Sequence, residues 1–414
     1  MAQQAKDLYR QRLNRVLDAV ALKVPDRVPV LLINQFLGAK YGDMTLKEAY
    51  YDPEKWYQAN KKMLQELEPD LYQEPWLLIN PGKAMEALDI KQIKWPGHGI
   101  PENHTFQFVE GEYMKPEEYD HLLDDPSDFA FRKYLPRICG ALEPFQNLPP
   151  LKAFLTGYIG MGITAFFTQP EVINALESLA EAGREYARYK VKEIEYYQEM
   201  SEYPVLGFSG GLVPFDLISD MLRGMRGTML DMYRNPEKIL EAQEKLYPMI
   251  IEGAILNAKI NNTQFVLMAL HRGADGFMSI KQFETFYWPF LKKLIADTVG
   301  AGLIPYVYIE GGYNERLQYL RELPKGKVIV HLDTTDIFKA KEVIGDTVCI
   351  AGNMPTSLLQ FGTPEKVKDY TKKMIDVAGK DGGFIMSHRG VLDETNPELV
   401  KVWIDFTKEY GVYK

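Results

Sequence analysis

The second half of the chain alternates between two hydrophobic periods. Short apolar runs rich in β-branched and aromatic residues are each followed by a stretch with apolar positions at helical spacing. The predicted strands are Gln264–Leu270, Ile304–Ile309, Lys327–Val330, Thr347–Ala351 and Gly383–Met386. The predicted helices are Ser279–Val299, Asn314–Glu322, Ile337–Ile344, Pro364–Val377 and Pro397–Tyr410. Five strand–helix units in succession predict a parallel sheet with right-handed crossovers.

The first half adds elements of both kinds. Candidate strands are Val28–Ile33, Asp70–Gln73, Ala153–Thr156 and Pro204–Phe208, and candidate helices are the N-terminal segment, Pro170–Met200 and Asn235–Ile260. These bring the strands to about eight or nine, and a (β/α)8 TIM barrel needs eight. We therefore predict an α/β fold, a single barrel domain over residues 1–414. An open doubly wound sheet is the alternative, but no G-x-G-x-x-G dinucleotide fingerprint follows any strand.

One region does not follow the strand–helix repeat. Residues 75–150 are rich in proline, glycine and acidic residues. Barrel domains often carry insertions in their connecting loops. We expect this region to be an irregular insertion at the barrel mouth.

Composition narrows the classes of function. Of the 414 residues, 46% are hydrophobic, so the chain can bury a large core and is not disordered. The formal net charge of −9 argues against a nucleic-acid partner. Two cysteines are too few for a Cys-based zinc or iron–sulfur site. The charged N-terminus and the short apolar runs predict a cytoplasmic protein that does not enter a membrane.

Several of the residues that directly follow the predicted strands have polar or ionisable side chains. Active sites of parallel barrels lie at the carboxyl ends of the strands. The segments found there are Asn34-Gln35-Phe36, His271-Arg272, Glu310, His331-Leu332-Asp333, Gly352-Asn353 and Ser387-His388. Histidines and carboxylates in this position suit a divalent metal or a general acid. Motifs for zinc proteases and P-loop enzymes are absent from the sequence.

Structural roles remain open for several of these polar residues. Asp336 precedes a helical pattern and suits an N-cap. Asp275 can order its own loop through local hydrogen bonds. The ring of His331 can lie in the core, and Cys349 stands within an apolar strand as an inert core residue.

Five segments resemble the uroporphyrinogen decarboxylase superfamily. They are Gly211–Leu240, Leu270–Lys293, Tyr308–Val328, Asp333–Asp346 and Ala351–Val367. In the last of these, a strand ends in Gly-Asn and Gly-Thr-Pro-Glu follows, which is a specific mark of the superfamily. The resemblance implies a barrel that either decarboxylates a tetrapyrrole or transfers methyl groups with a corrinoid.

The resemblance favours the corrinoid-dependent branch. The stretch Asn34–Gly38 has no arginine, whereas the decarboxylases carry an Arg-rich loop after the first strand. Tyr308-Ile309-Glu310 stands where thiol-methylating members carry a His-x-Cys zinc pair, and Ser387–Gly390 offers no cysteine either. The segments around His271 and Glu310 are similar to the vanillate- and veratrol-type demethylating methyltransferases. These pass methyl from aryl methyl ethers to a corrinoid carried by a separate protein.

This resemblance implies roles for particular residues. His271 and Arg272 would donate hydrogen bonds to the departing phenolate. Together with Glu310 and Asp333 they form the expected set of catalytic residues. A zinc ion would be held by His271, Glu310 and Asp333; without a metal, His271 would act as the acid. The expected substrate contacts are Phe36, Tyr158, Tyr308, Tyr313, Asn353 and His388.

Two alternatives to this function stay open. The first is a tetrapyrrole decarboxylase, and the second is a non-catalytic corrinoid- or tetrapyrrole-binding protein. The expected partners are a corrinoid protein and a small methoxylated aromatic, and a homodimer is left open.

Overall fold

Parallel strands form the centre of the fold in the computed structural model, which describes residues 2–76, 79–156, 158–207 and 210–414. The strands in these ranges are β1 (Leu31–Leu32), β2 (Leu71–Tyr72), β3 (Ile93–Pro96), β4 (Gly99–Ile100), β5 (Gln107–Phe108), β6 (Phe265–Leu270), β7 (Ile304–Ile309), β8 (Ile329–Leu332), β9 (Cys349–Met354) and β10 (Phe384–His388). Strands β6 to β10 pair in sequence order as one parallel sheet. This confirms the five strand–helix units predicted for the second half.

Backbone pairing continues this sheet around a barrel. Val30 bridges Met386 next to β10, β1 pairs in parallel with β2, and Tyr72 bridges Val205. The last gap, between Val205 and β6, is spanned by other hydrogen bonds. The hydroxyl of Thr263 lies 3.3 Å from the Val205 carbonyl oxygen, and the Gly211 amide donates to the Leu267 carbonyl at 3.0 Å. Eight strand positions therefore surround one axis, which is the predicted (β/α)8 TIM-barrel class.

A layer of side chains fills the barrel interior. One residue from each of the eight strand positions belongs to a single buried cluster: Leu31, Leu71, Leu206, Phe265, Tyr306, Ile329, Cys349 and Ile385. Val16, Ala19 and Val20 of the N-terminal helix join this cluster, so that helix covers one end of the barrel. Alternate strand residues, such as Val266 and Val330, pack outward in a larger cluster with the surrounding helices. Cys349 is thus a core residue, as predicted.

The described ranges contain α-helices of very different length. They are α1 (Ala2–Val20), α2 (Gly38–Tyr41), α3 (Leu46–Tyr51), α4 (Pro53–Leu67), α5 (Gly82–Leu88), α6 (Tyr119–Asp124), α7 (Pro126–Phe129), α8 (Leu135–Ile138), α9 (Ala153–Thr156), α10 (Pro170–Glu199), α11 (Pro214–Leu217), α12 (Gly224–Arg234), α13 (Pro236–Ile260), α14 (Ile280–Gln282), α15 (Trp288–Gly300), α16 (Leu317–Leu320), α17 (Ile337–Ile344), α18 (Thr356–Phe361), α19 (Pro364–Ala378) and α20 (Pro397–Tyr410). π-Helical turns at Ile218–Arg223 and Phe283–Tyr287 join α11 to α12 and α14 to α15.

Capping residues set where several helices begin. The carboxylate of Asp336 accepts hydrogen bonds from the amides of Phe338 and Lys339, which confirms its predicted N-cap role at α17. Thr363 and Asn396 cap α19 and α20, and each is followed by a proline at the first helical position. Proline suits that position because its missing N–H would have no partner in the helix.

The prediction of a strand at Ala153–Thr156 was wrong, because this segment is the short helix α9. It follows two prolines, and the amides of Ala153, Phe154 and Leu155 bond to carbonyls three residues back. Leu155 is 89% exposed, so this apolar side chain is not buried in the sheet. The third barrel position is occupied instead by the residues around Val205, within the predicted strand Pro204–Phe208; Phe208 itself lies outside the described residues.

The region at residues 75–150 follows β2 and precedes the third barrel position. Its described part contains α5 to α8 and a small sheet in which β3 lies between β4 and β5. Its placement as an insertion at the barrel mouth stays a prediction. Across the described ranges, every helix is too short or too polar to cross a bilayer.

Candidate active site

Strand alternation brings three predicted site residues to the barrel axis. Phe265, Tyr306 and Ile329 face the interior layer, and side chains an even number of positions further along a strand point to the same side. His271, Glu310 and Asp333 are such positions, each directly after its strand. They lie at the carboxyl end of the barrel, where this fold carries out its chemistry.

His271 is held between carboxylates. Its Nδ1 lies 2.5 Å from Oδ2 of Asp220, and its Nε2 lies 3.6 Å from Oε1 of Glu310. Burial lowers the pKa of His271, but the hydrogen bond to Asp220 and the charges of Asp216, Glu310 and Asp220 outweigh it and raise the pKa to about 9. At neutral pH the ring is therefore an imidazolium, with Nε2–H directed at the side of Glu310.

Asp216 fixes the backbone at the exit of β6. Its side chain is fully buried, and its two oxygens accept the amides of His271 and Arg272 at 3.1 and 3.0 Å. The hydroxyl of Tyr287 donates to the same carboxylate at 2.6 Å. Burial raises the pKa of Asp216 to about 6. The Asp216 carboxylate therefore orients the backbone of His271 and Arg272 from a buried position behind the site.

The side chain of Arg272 contacts the π-helical turn Ile218–Arg223, which carries Asp220. Its Nη2 lies 2.8 Å from Oδ1 of Asp220, and its Nε donates to the hydroxyl of Ser219 at 2.9 Å. Asp220 thus hydrogen-bonds to His271 through Oδ2 and forms an ion pair with Arg272 through Oδ1. The guanidinium helps to position Asp220, while its predicted donation to a leaving oxygen stays a prediction.

Glu310 and Asp333 differ in their surroundings. The side chain of Glu310 is 50% exposed, yet partial loss of hydration raises the pKa of its carboxyl. Oδ2 of Asp333 accepts the amide of Gly311 at 3.0 Å. The Asn353 amide group donates to the carbonyls of Asp333 and Thr335, both at 2.9 Å. Asp333 and Asn353 therefore connect the loops that follow β7 and β8 with the end of β9.

The donors fit a nitrogen–oxygen metal site in part. Within the described ranges, no group of three or more His, Cys, Asp or Glu side chains is arranged to hold an ion. His271 Nε2 and Glu310 Oε1 face each other, and Asp220 orients the ring from behind as carboxylates do at metal-bound histidines. Asp333 as a third ligand stays a prediction.

The other predicted contacts lie mostly in the core. Phe36 and Tyr313 are almost fully buried among aromatic rings, and His388 is buried with Nε2 3.0 Å from the Ile33 carbonyl oxygen. Tyr308 is partly exposed, and its ring centroid lies 4.7 Å from that of His331. The side chain of Tyr158 lies outside the described residues. Substrate contact by these residues stays a prediction.

Sequence reasoning from strand ends missed Asp216 and Asp220. They stand on the helical turn that precedes β6 by more than forty residues, so strand-end positions could not reveal them. Their four-residue spacing was the available signal, because residues i and i+4 share one face of a helix. This face carries both carboxylates to the β6 exit.

The molecule is thus a TIM-barrel protein with a histidine–carboxylate cluster at the mouth. The uroporphyrinogen decarboxylase (URO-D) family model matches residues 160–410, which is more than half of the chain, and the chain belongs to this family.

Individual relatives are distant. The uroporphyrinogen decarboxylase of Aromatoleum aromaticum is 26% identical over 220 residues, and the match covers 50% of this chain and 59% of the relative. That of Flavobacterium johnsoniae is 25% identical over 316 residues, which cover 70% of this chain and 89% of the relative. A solved methyltransferase from Methanosarcina mazei has a TM-score of 0.62 at 16% identity, with 96% of this chain and 98% of that chain covered. This last likeness shows the fold.

Proposed function

We propose that the protein is a methyltransferase that demethylates methoxylated aromatic compounds and delivers the methyl group to the cobalt(I) of a separate corrinoid protein. The observation that carries this proposal is the Asp220–His271–Glu310 arrangement, a charged donor held at the barrel mouth. The methyltransferase name of the solved neighbour is consistent with it.

The chemistry requires help at the leaving oxygen. The methyl–oxygen bond breaks, its electron pair stays on the aryl oxygen, and the methyl carbon becomes bonded to cobalt. The corrinoid supplies the nucleophile when its carrier protein is bound. The chain must therefore stabilise a developing phenolate, and one lost donor to such an oxyanion typically costs about 2.7–4 kcal/mol.

His271 suits this task. With its pKa near 9 it is protonated at neutral pH, so it can donate from Nε2 to the phenolate and then transfer the proton. Asp220 holds the opposite ring nitrogen and keeps the proton on the side that faces Glu310. Oε1 of Glu310 lies 3.6 Å from Nε2 and stabilises the imidazolium before substrate enters.

A zinc ion is a second means of stabilising the negative charge on the leaving aryl oxygen. His271, Glu310 and Asp333 would hold it, and zinc would polarise the ether oxygen as a Lewis acid. Acid catalysis by His271 and metal binding at Nε2 exclude each other in one state, because a ligating histidine is neutral. Elemental analysis of active protein distinguishes the two.

Two other functions compete. Tetrapyrrole decarboxylation is favoured by the names of the curated relatives, but Asn34–Gly38 carries no arginine to hold an acidic tetrapyrrole. A non-catalytic binding protein would use the same residues only to line a pocket. In that case His271→Asn would leave any demethylation unchanged.

The deciding assay uses a reduced corrinoid protein, a panel of aryl methyl ethers and the purified chain. We expect methylcorrinoid absorbance to grow with one ether or more, and to fall at least about a hundredfold in rate with His271→Asn. His98→Asn is the matched control, because His98 pairs with Glu86 on a different part of the surface at 2.7 Å. Carbon dioxide release from uroporphyrinogen would favour the decarboxylase instead, and no change with the whole panel would contradict the proposal.

A further inference from the structure

Helix α10 carries a second apolar stripe, on the side that faces away from the protein. Its inner face is buried through Val172, Ala175, Ala182, Tyr189 and Tyr196. The stripe consists of seven exposed positions: Ile173, Leu176, Ala180, Gly183, Ala187, Val191 and Ile194. Its largest members are 38% to 54% exposed. An amphipathic surface helix normally presents polar residues on this side.

The spacing of this stripe is that of a coiled-coil seam. The seven positions span 21 residue steps in six intervals, an average of 3.5, which is the heptad value. Along a helix this covers about 30 Å at 1.5 Å per residue. Isolated exposed apolar residues need no explanation, but a continuous seam of this length indicates a helical partner.

The stripe is also symmetric about its own midpoint. A two-fold axis between Gly183 and Arg184 exchanges equivalent positions of two antiparallel copies. It places Ile173 opposite Ile194, Leu176 opposite Val191, and Ala180 opposite Ala187. Large residues meet at both ends and small ones at the centre, where a Cβ built on Gly183 would touch nothing within 4 Å. Self-complementarity of this kind is what a two-fold interface requires.

Charges along one edge of the stripe agree with antiparallel pairing. Glu177 and Glu181 lie before the midpoint, and Arg184 and Arg188 lie after it, all on the same exposed edge. Arg188 also forms an ion pair with Glu185 of its own chain at 2.7 Å. In an antiparallel pair, Glu177 of one copy lies near Arg188 of the other, and Glu181 near Arg184. In a parallel pair this edge would lie on opposite sides of the two helices, so that these charges would not meet.

We infer that two copies of this chain associate through an antiparallel pair of α10 helices whose two-fold axis lies between Gly183 and Arg184. Small central residues let helix axes approach toward the lower end of the usual 8–10 Å range. Stable interfaces bury about 1,200–2,000 Å² in total, so one helix pair of this length gives a dimer at the weaker end of that range. This inference does not depend on the reaction proposed above.

Sedimentation of the full chain over a concentration series tests the association. We expect a dimer whose dissociation constant rises by more than about tenfold in Val191→Glu, because the change places an unpaired charge in an apolar contact. Leu256→Glu is the control, since Leu256 is 56% exposed on α13, outside the stripe. A monomer at every concentration, or equal dimerisation of Val191→Glu and wild type, would overturn the inference.

Cross-linking tests the direction of the pair. With a short bis-maleimide, Gly183→Cys should link to itself, Ile173→Cys alone should not, and Ile173→Cys mixed with Ile194→Cys should. The native thiols of Cys139 and Cys349 are 4% and 0% exposed and do not compete. Efficient self-linking of Ile173→Cys would indicate parallel helices and contradict the arrangement.

Charge reversal gives an independent check on the same pairing. Glu181→Arg and Arg184→Glu should each weaken the dimer, and the double variant should restore it. Within the described residues neither side chain has an ion-pair partner of its own, so restoration would report contact between copies. Additive weakening in the double variant would refute the charge pairing.

Discussion

Replacing Asp220 by Asn keeps the shape of the side chain and removes the charge that faces Nδ1 of His271. In the wild type, the rise in the His271 pKa from 6.5 to about 9 corresponds to about 3 kcal/mol in favour of the imidazolium. The side chain is 28% exposed, so solvent screens only part of this effect. Burial alone lowers the pKa, and Asp220 is the strongest factor that opposes it. In Asp220→Asn we expect the pKa of His271 to fall to 7 or below.

Titration by NMR measures this directly. The imidazole resonance of His271, assigned by its loss in His271→Asn, should titrate near pH 9 in the wild type and near or below pH 7 in Asp220→Asn. Glu86→Gln is the matched control, since it removes the carboxylate next to a surface histidine and should leave this resonance unchanged. A wild-type midpoint below 7, or an unchanged midpoint in Asp220→Asn, would refute the reasoning.

Linkage gives the same prediction a second readout. Because the folded-state pKa of His271 lies above the unfolded value of 6.5, its contribution to stability is complete below pH 6.5 and is lost as pH rises through 9. The difference in unfolding free energy between wild type and Asp220→Asn should therefore be larger at pH 6 than at pH 9.5. A constant difference across this range would show that Asp220 acts only through packing.

Other positions in the barrel give further tests. Glu310→Gln should lower the rate of methyl transfer and bring the pKa of His271 down, as a pH–rate profile and NMR titration would show, whereas an unchanged profile would place Glu310 outside the reaction. Asp216→Ala should reduce the free energy of unfolding by about 2–4 kcal/mol in urea, because two amides and a hydroxyl lose their buried acceptor, and Asp216→Asn should cost less. Burial lowers the pKa of His331 to about 3 and of His388 to about 4, so their neutral forms are favoured by folding; stability should fall as pH drops from 6.5 toward 4, and a flat profile would contradict this.

The sequence predicted helix bounds correctly where the hydrophobic period and the capping residues indicated the same start. The helices α17 and α20 have the bounds that the pattern predicts, since Asp336 and Asn396 mark their starts. Ala153–Thr156 failed because a short apolar run has no period long enough to separate a helix from a strand. Its solvent-exposed leucine shows that apolar character alone does not imply burial.

The candidate site was predictable only in part. His271 and Glu310 follow their strands directly, so strand ends revealed them. Asp216 and Asp220 act from a helical turn that is distant in sequence, and only the folded chain brings them to the His271 backbone and ring. Sequence therefore supplied the reactive groups but not the carboxylates that set their charge and orientation.

The most direct test of the central claim follows the methyl group itself. An aryl methyl ether with a ¹³C-labelled methoxy group, a reduced corrinoid protein and the purified chain should yield a labelled methyl bonded to cobalt and an equal amount of the free phenol. His271→Asn should lose this product and His98→Asn should retain it. Label that stays in the ether throughout a panel of methoxylated aromatics, with the corrinoid reduced and competent, would contradict the account.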